Sequence, residues 1–117
     1  MGMVADRRAG AVELSLGRRG GWTTVGVAGE LTLTGTAALE EHLARAMAGQ
    51  SPPQVVVDVG AMTFCDSSGL NVLLHARKQI LGLCGRLVLA RPTDRVTRIL
   101  RTTGLDRVFD VRDALPA

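Results

Sequence analysis

Val55-Val56-Val57-Asp58-Val59, followed by Phe64-Cys65-Asp66-Ser67-Ser68-Gly69-Leu70, is the stretch whose reading decides the fold. The β-branched run has the composition of a strand buried on both faces, and the apolar repeat after Leu70 has a helical period. The chain therefore passes from a buried strand into a helix opened by two serines. Ser67 falls where backbone N–H groups lack intrahelical partners and the helix dipole is positive, a position that suits either a cap or a phosphate.

Downstream, Leu70, Leu73, Leu74, Ile80 or Leu81, and Cys84 mark the inward stripe of that helix, which Gly82 and Gly85 close. Arg86-Leu87-Val88-Leu89-Ala90 reads as the next strand. Pro92-Thr93-Asp94 opens a third helix with Val96, Ile99 and Leu100 inward, and Gly104-Leu105 is its C-terminal cap. Val108-Phe109-Asp110-Val111 is expected as a short last strand, and Asp113-Ala114-Leu115 as the start of a further helical turn.

Upstream, Val12-Glu13-Leu14-Ser15-Leu16 alternates apolar and polar residues. Arg18-Arg19-Gly20-Gly21 then turns the chain into Trp22-Thr23-Thr24-Val25-Gly26-Val27-Ala28, which gives an antiparallel hairpin. Leu39, Leu43 and Met47 recur at spacing four between Thr36, a cap candidate, and Gly49, a stop, so a first helix is expected over roughly 36 to 48. Residues 1 to 10 are set apart as a flexible N-terminus, with the domain over 11 to 117.

This order predicts one α/β domain: a mixed β-sheet of about four to five strands, an N-terminal antiparallel hairpin, parallel crossovers and α-helices packed on one or both faces. Functional loops are expected at the carboxyl ends of the parallel strands. Asp58 to Ser67 is one such loop. Gly29-Glu30-Leu31-Thr32, ending the second hairpin strand, is a candidate neighbour on the same surface.

Composition narrows the function. With 117 residues the chain fits a single core, and 46% apolar with 21% charged residues is ordinary for a globular domain. Apolar runs fall short of the ~20 residues needed to cross a bilayer, and the N-terminus has no apolar signal core, so no membrane association and a cytoplasmic location are expected. The net charge of +3 arises from 13 arginines and the single Lys78. Trp22, Phe64 and Phe109 are too scattered to form a stacking platform, so direct nucleic-acid binding is not expected. Arg91, Arg95, Arg98 and Arg101 cluster, either as a basic strip for an acidic partner or as a solvated helix face.

Cys65 and Cys84 lie at opposite ends of the second helix, roughly 20 Å apart by helical rise, and are expected as free thiols. No Cys/His cluster suggests a metal, and no P-loop or dinucleotide fingerprint suggests a cofactor. His42 and His75 are expected at the surface. Catalysis lacks a base: His75 is eight residues from Ser67 along one helix, about 12 Å away by rise, and His42 is on another helix. Ser67 reads as a substrate of another protein rather than a nucleophile with its own machinery, and the chain as no enzyme. Gly69, costly in a helix start, admits two explanations: close approach of a partner backbone, or tight packing on the sheet.

Gly29-Glu30-Leu31, Asp66-Ser67-Ser68-Gly69-Leu70 and Thr103-Gly104-Leu105, in this order and spacing, closely resemble the STAS domain family, especially bacterial anti-sigma factor antagonists. The resemblance covers roughly residues 12 to 115. It implies a small mixed sheet with helices, and a phosphoacceptor at the first serine of the Asp-Ser-Ser-Gly motif, here Ser67. It implies as partners an anti-sigma factor that is also a serine kinase of the GHKL type, and a serine phosphatase that resets the switch. Glu30, Thr32, Asp66, Ser67, Ser68 and Gly69 would then form the partner-binding surface. Thr32 departs from the pattern, since many such antagonists carry Asp after Gly-Glu-Leu. Other STAS domains are non-catalytic scaffold subunits of phospholipid-transport or stress-signalling complexes, which is the alternative the resemblance leaves open.

Overall fold

The computed structural model describes residues 5–9 and 11–116. Strands β1 (Ala5–Ala9), β2 (Val12–Arg19) and β3 (Trp22–Leu31) form an antiparallel meander. Helix α1 (Thr36–Ala48) carries the chain to β4 (Gln54–Cys65), α2 (Ser67–Gly82) to β5 (Arg86–Ala90), and α3 (Asp94–Thr103) to β6 (Asp110–Arg112). These three crossovers make β3 to β6 parallel, and the six strands lie in the sheet in chain order.

The expected mixed α/β sheet is therefore present, with one strand more. Ala5–Ala9 pairs with β2 from Ala5 opposite Leu16 to Ala9 opposite Val12, within the segment the sequence set apart as flexible. The outer edge of β2 offers unpaired N–H and C=O groups, and the preceding segment satisfies them. Residues 1–4 and 10 lie outside the described residues.

All three helices feed one core. Val55, Val57 and Val59 of β4 join Leu39 and Leu43 of α1, Leu73 and Ile80 of α2, and Val96 and Leu100 of α3. Val56 points the other way, to a smaller cluster with Trp22, Val88 and Ala90. The β-branched run is thus buried on both faces, as its composition requires. At Asp58 the second face turns polar: Arg91 donates to its carboxylate through Nε (3.1 Å) and Nη2 (2.8 Å). Arg91 is thereby committed to Asp58, whereas Arg95, Arg98 and Arg101 lie exposed on α3.

Four local expectations are corrected. Thr36 does not cap α1: the cap position is Gly35, and the Thr36 hydroxyl donates to Leu33 O (2.9 Å) within a preceding 3-10 turn, Leu33–Gly35. His42 is buried, at 1% exposure, because the inward stripe of α1 is Ala38, Leu39, His42, Leu43 and Ala46. Its Nδ1 lies 2.9 Å from Ala38 O. The last strand begins at Asp110, after a 3-10 turn Leu105–Arg107 that leaves Phe109 buried in the core. Asp113-Ala114-Leu115 is not helical; Leu115 folds over the Trp22 cluster, and Pro116 O accepts from Arg19 Nε (3.3 Å).

Candidate functional site

The site is assembled by the pairing of β3 with β4. Near their carboxyl ends Glu30 is opposite Phe64 and Leu31 opposite Cys65, and Asp66 N donates to Leu31 O at 3.1 Å. Two segments 34 residues apart in sequence, those of Glu30 and Phe64, are thus held side by side by main-chain register. Gly29 makes this possible with φ +89, where a side chain would also run into Ala11 O.

At the end of β4 the backbone stays extended through Asp66 (φ −90, ψ −178), and α2 begins at Ser67. Asp66 is the cap: its Oδ1 accepts from Gly69 N at 3.0 Å. Of the two roles open to Ser67 in sequence, capping belongs to its neighbour. Ser67 is exposed, and its hydroxyl has no hydrogen-bond partner among the described residues. It sits in the first helical position, where N–H groups and the dipole favour negative charge, and the first turn of α2 contains no acid.

Ser68 is half-buried and Gly69 fully buried. A Cβ on Gly69 would stand 2.7 Å from Leu31 Cδ2 and 2.9 Å from Cys65 Sγ. Of the two explanations for this glycine, packing of the helix start against the sheet is the one the geometry supplies. Burial, and secondarily the Asp66 carboxylate, pushes the Cys65 thiol up to about 12, so Cys65 is an inert core residue beside the site. Both cysteines are free, Cys65 buried and Cys84 exposed.

Glu30 is exposed, and Thr32 is half-buried with its hydroxyl 3.2 Å from that of Thr34. All six residues singled out in sequence, Glu30, Thr32, Asp66, Ser67, Ser68 and Gly69, therefore gather at one end of the sheet. Two apolar side chains escaped the sequence reading. Leu33, 70% exposed, projects from the 3-10 turn that packs beside α2, and Phe64, 37% exposed, is the register partner of Glu30. The signal for Leu33 was its isolation between Thr32 and Thr34, outside any apolar period. For Phe64 it was an aromatic at a strand end in a chain with 3% aromatics.

Among the described residues no group of three or more His, Cys, Asp or Glu is placed to hold a metal ion. No helix there is long and apolar enough to cross a membrane.

The family model described as "Mlab, STAS domain" matches residues 14–113. The chain belongs to the STAS domain family. BtrV of Bordetella bronchiseptica, named as an anti-sigma factor antagonist, is 32% identical over 79 residues, which cover 68% of this chain and 67% of BtrV. A solved anti-sigma factor antagonist from Mycobacterium paratuberculosis is similar in fold, with TM-score 0.78 and 27% identity over 89% of this chain and 87% of that one. An anti-sigma-factor antagonist (STAS) domain protein from Planctomyces limnophilus superposes with TM-score 0.77 at 18% identity, covering 87% of this STAS domain and 91% of its own chain.

Proposed function

We propose that this STAS domain is an anti-sigma factor antagonist: it binds an anti-sigma factor that is also a serine kinase of the GHKL type, and phosphorylation at Ser67 ends that binding. The single observation that carries the reading is the state of Ser67. Its hydroxyl is exposed and uncommitted at the head of a helix whose cap is already filled by Asp66. The names of BtrV and of the mycobacterial structure supply the class of partner.

The physics of the switch is local. A phosphate adds about −1.5 to −2 charges, and at a helix N-terminus this charge meets a favourable dipole and free N–H groups, so the fold tolerates it. A partner seated on Ser67 does not. There the dianion stands beside Asp66, where like charge and desolvation oppose the complex, and ~1.4 kcal/mol already weakens affinity tenfold. Free domain would bind the kinase in the cytoplasm and release a sigma factor for transcription, and a serine phosphatase would restore the hydroxyl. Ser67 is a substrate in this scheme and the domain itself performs no catalysis.

Thr32 favours a second reading, a scaffold subunit of a phospholipid-transport or stress-signalling complex. It stands where an acid is common in the antagonists the sequence resembles, and its hydroxyl is turned to that of Thr34. Capture from native lysate on wild type, Ser67→Ala and Ser67→Asp, followed by mass spectrometry, separates the two. The antagonist reading expects a kinase retained by wild type and Ser67→Ala but lost by Ser67→Asp, with phosphate found on Ser67. Identical partners on all three baits and an unmodified Ser67 would leave the scaffold.

A further inference from the structure

A groove of about 510 Å³ runs between α1 and α2. Because β3, β4 and β5 are parallel, the helices joining them both run against the strands and hence in the same direction, with both N-termini at the Ser67 end of the sheet. One wall of the groove carries Asn71, His75 and Gln79 of α2. These continue by steps of four from Ser67, so the acceptor hydroxyl heads the same helical stripe that lines the groove.

The floor is apolar and incompletely covered. Leu43 and Ala76 are buried there, whereas Met47 and Val72 pack on the core but remain half-buried. The α1 wall is acidic: Glu40 and Glu41 are exposed at the rim. Glu41 lies 3.4 Å from Arg45, and Glu40 has no ion-pair partner among the described residues. Among the described residues no Lys or Arg lines the groove, although the chain as a whole carries net charge +3.

We propose that this groove is a docking trough for an amphipathic helix of the partner, apolar toward Met47 and Val72 and carrying Lys or Arg toward Glu40. The inference rests on the antagonist reading for the identity of that partner. Three features select this occupant. The trough is continuous with the stripe of Ser67, so a protein engaging the acceptor is carried into it. Asn71 to Gln79 spans about 12 Å by helical rise, the length of roughly two turns, and a helix laid between two others is the packing that such grooves accept. Its acidic rim is complementary to a basic side chain and repels an acidic one. Docking here would hold the partner while its active site reaches Ser67, placing part of the recognition away from the acceptor.

The test uses the full chain and the protein that wild type retains from native lysate, purified and titrated calorimetrically against wild type, Ser67→Asp and the groove variants. Ala44→Trp fills the groove from an exposed helical position, Glu40→Lys reverses its rim charge, and Arg98→Glu on α3 is the control. Both groove variants are expected to weaken binding by about tenfold or more with unchanged melting temperature, and the control to leave it unaltered. A photo-cross-linker at Ala44 should recover a partner peptide with helical apolar spacing and Lys or Arg. Wild-type affinity in both groove variants, or a cross-link to an acidic or non-helical segment, overturns the trough. Loss of a partner by the groove variants while Ser67→Asp still binds it overturns the antagonist reading and keeps the trough; a wild type that retains no partner overturns both.

Discussion

Helices α2 and α3 begin in the same way and do different things. Each follows a parallel strand, and each is capped by a side-chain oxygen that accepts from the N–H three residues on: Asp66 from Gly69, Thr93 from Val96. Position by position, Asp66-Ser67-Ser68-Gly69 stands against Thr93-Asp94-Arg95-Val96. In α3 the first helical residue is Asp94, which places a fixed charge at the positive end of the dipole, and Thr93 also donates to Met62 O (3.3 Å), tying the cap to β4. In α2 the same position is the exposed, neutral Ser67. Each start thus carries one carboxylate, in α3 on the first helical residue Asp94 and in α2 on the cap Asp66, which leaves the first helical position of α2 to the exposed hydroxyl of Ser67.

The third helical residue shows the largest contrast, Gly69 against buried Val96. Gly69→Val, which makes α2 begin like α3, should cost ~1–3 kcal/mol, because Leu31 and Cys65 already occupy the space its side chain needs. Thermal unfolding measures this, and an unchanged midpoint would mean that the packing of Gly69 is not tight.

Removing either cap should cost ~1 kcal/mol. Asp66→Ala and Thr93→Ala are then matched in stability by chemical denaturation, yet only Asp66→Ala should change the rate at which Ser67 is phosphorylated. Equal effects on that rate would erase the functional difference between the two helix starts.

Ser67→Asp copies Asp94 onto α2 and should stabilise by ~0.3–1 kcal/mol at low salt, fading as salt screens the dipole. A clear loss of melting temperature would contradict the claim that the fold tolerates charge there.

The smallest effect is a silence. With its proton held to about pH 12, buried Cys65 should resist alkylation at pH 8 while Cys84 reacts, giving one label per folded chain by mass. The unfolded thiol ionises near 9 and the folded one near 12, so stability intact below pH 9 declines as pH rises toward 12. No tyrosine is present to titrate in that window.

Most elements could be read because their signals are local. The alternation of Val12 to Leu16, the turn at Gly20-Gly21 and the helix openings at Asp66-Ser67 and Pro92-Thr93-Asp94 act within a few neighbours. The failures share another cause. Ala5–Ala9 has no β-branched residue and becomes a strand only because β2 offers it an edge. His42 looked like an isolated surface residue until the packing face of α1 placed it inward. Thr36 has the chemistry of a cap, but the 3-10 turn at Leu33–Gly35 claims its hydroxyl. At the site, the expected placing of strand ends drew Glu30 and Thr32 toward Asp66 and Ser67, while Leu33 and Phe64 carried no periodic signal to follow.

The sequence by itself determined the order of strands and helices and the strand–cap–serine junction at Asp66 and Ser67, since hydrogen bonds and periodicities spanning three or four residues fix these. Only the tertiary structure decided that Gly69 is a packing glycine, with Leu31 and Cys65 in the space of its side chain, and that Glu30 abuts Phe64. It also decided that α1 and α2 leave a groove leading away from Ser67. Each of these depends on which distant surface lies against the residue, and strand register and helix packing set that through contacts far apart in the chain.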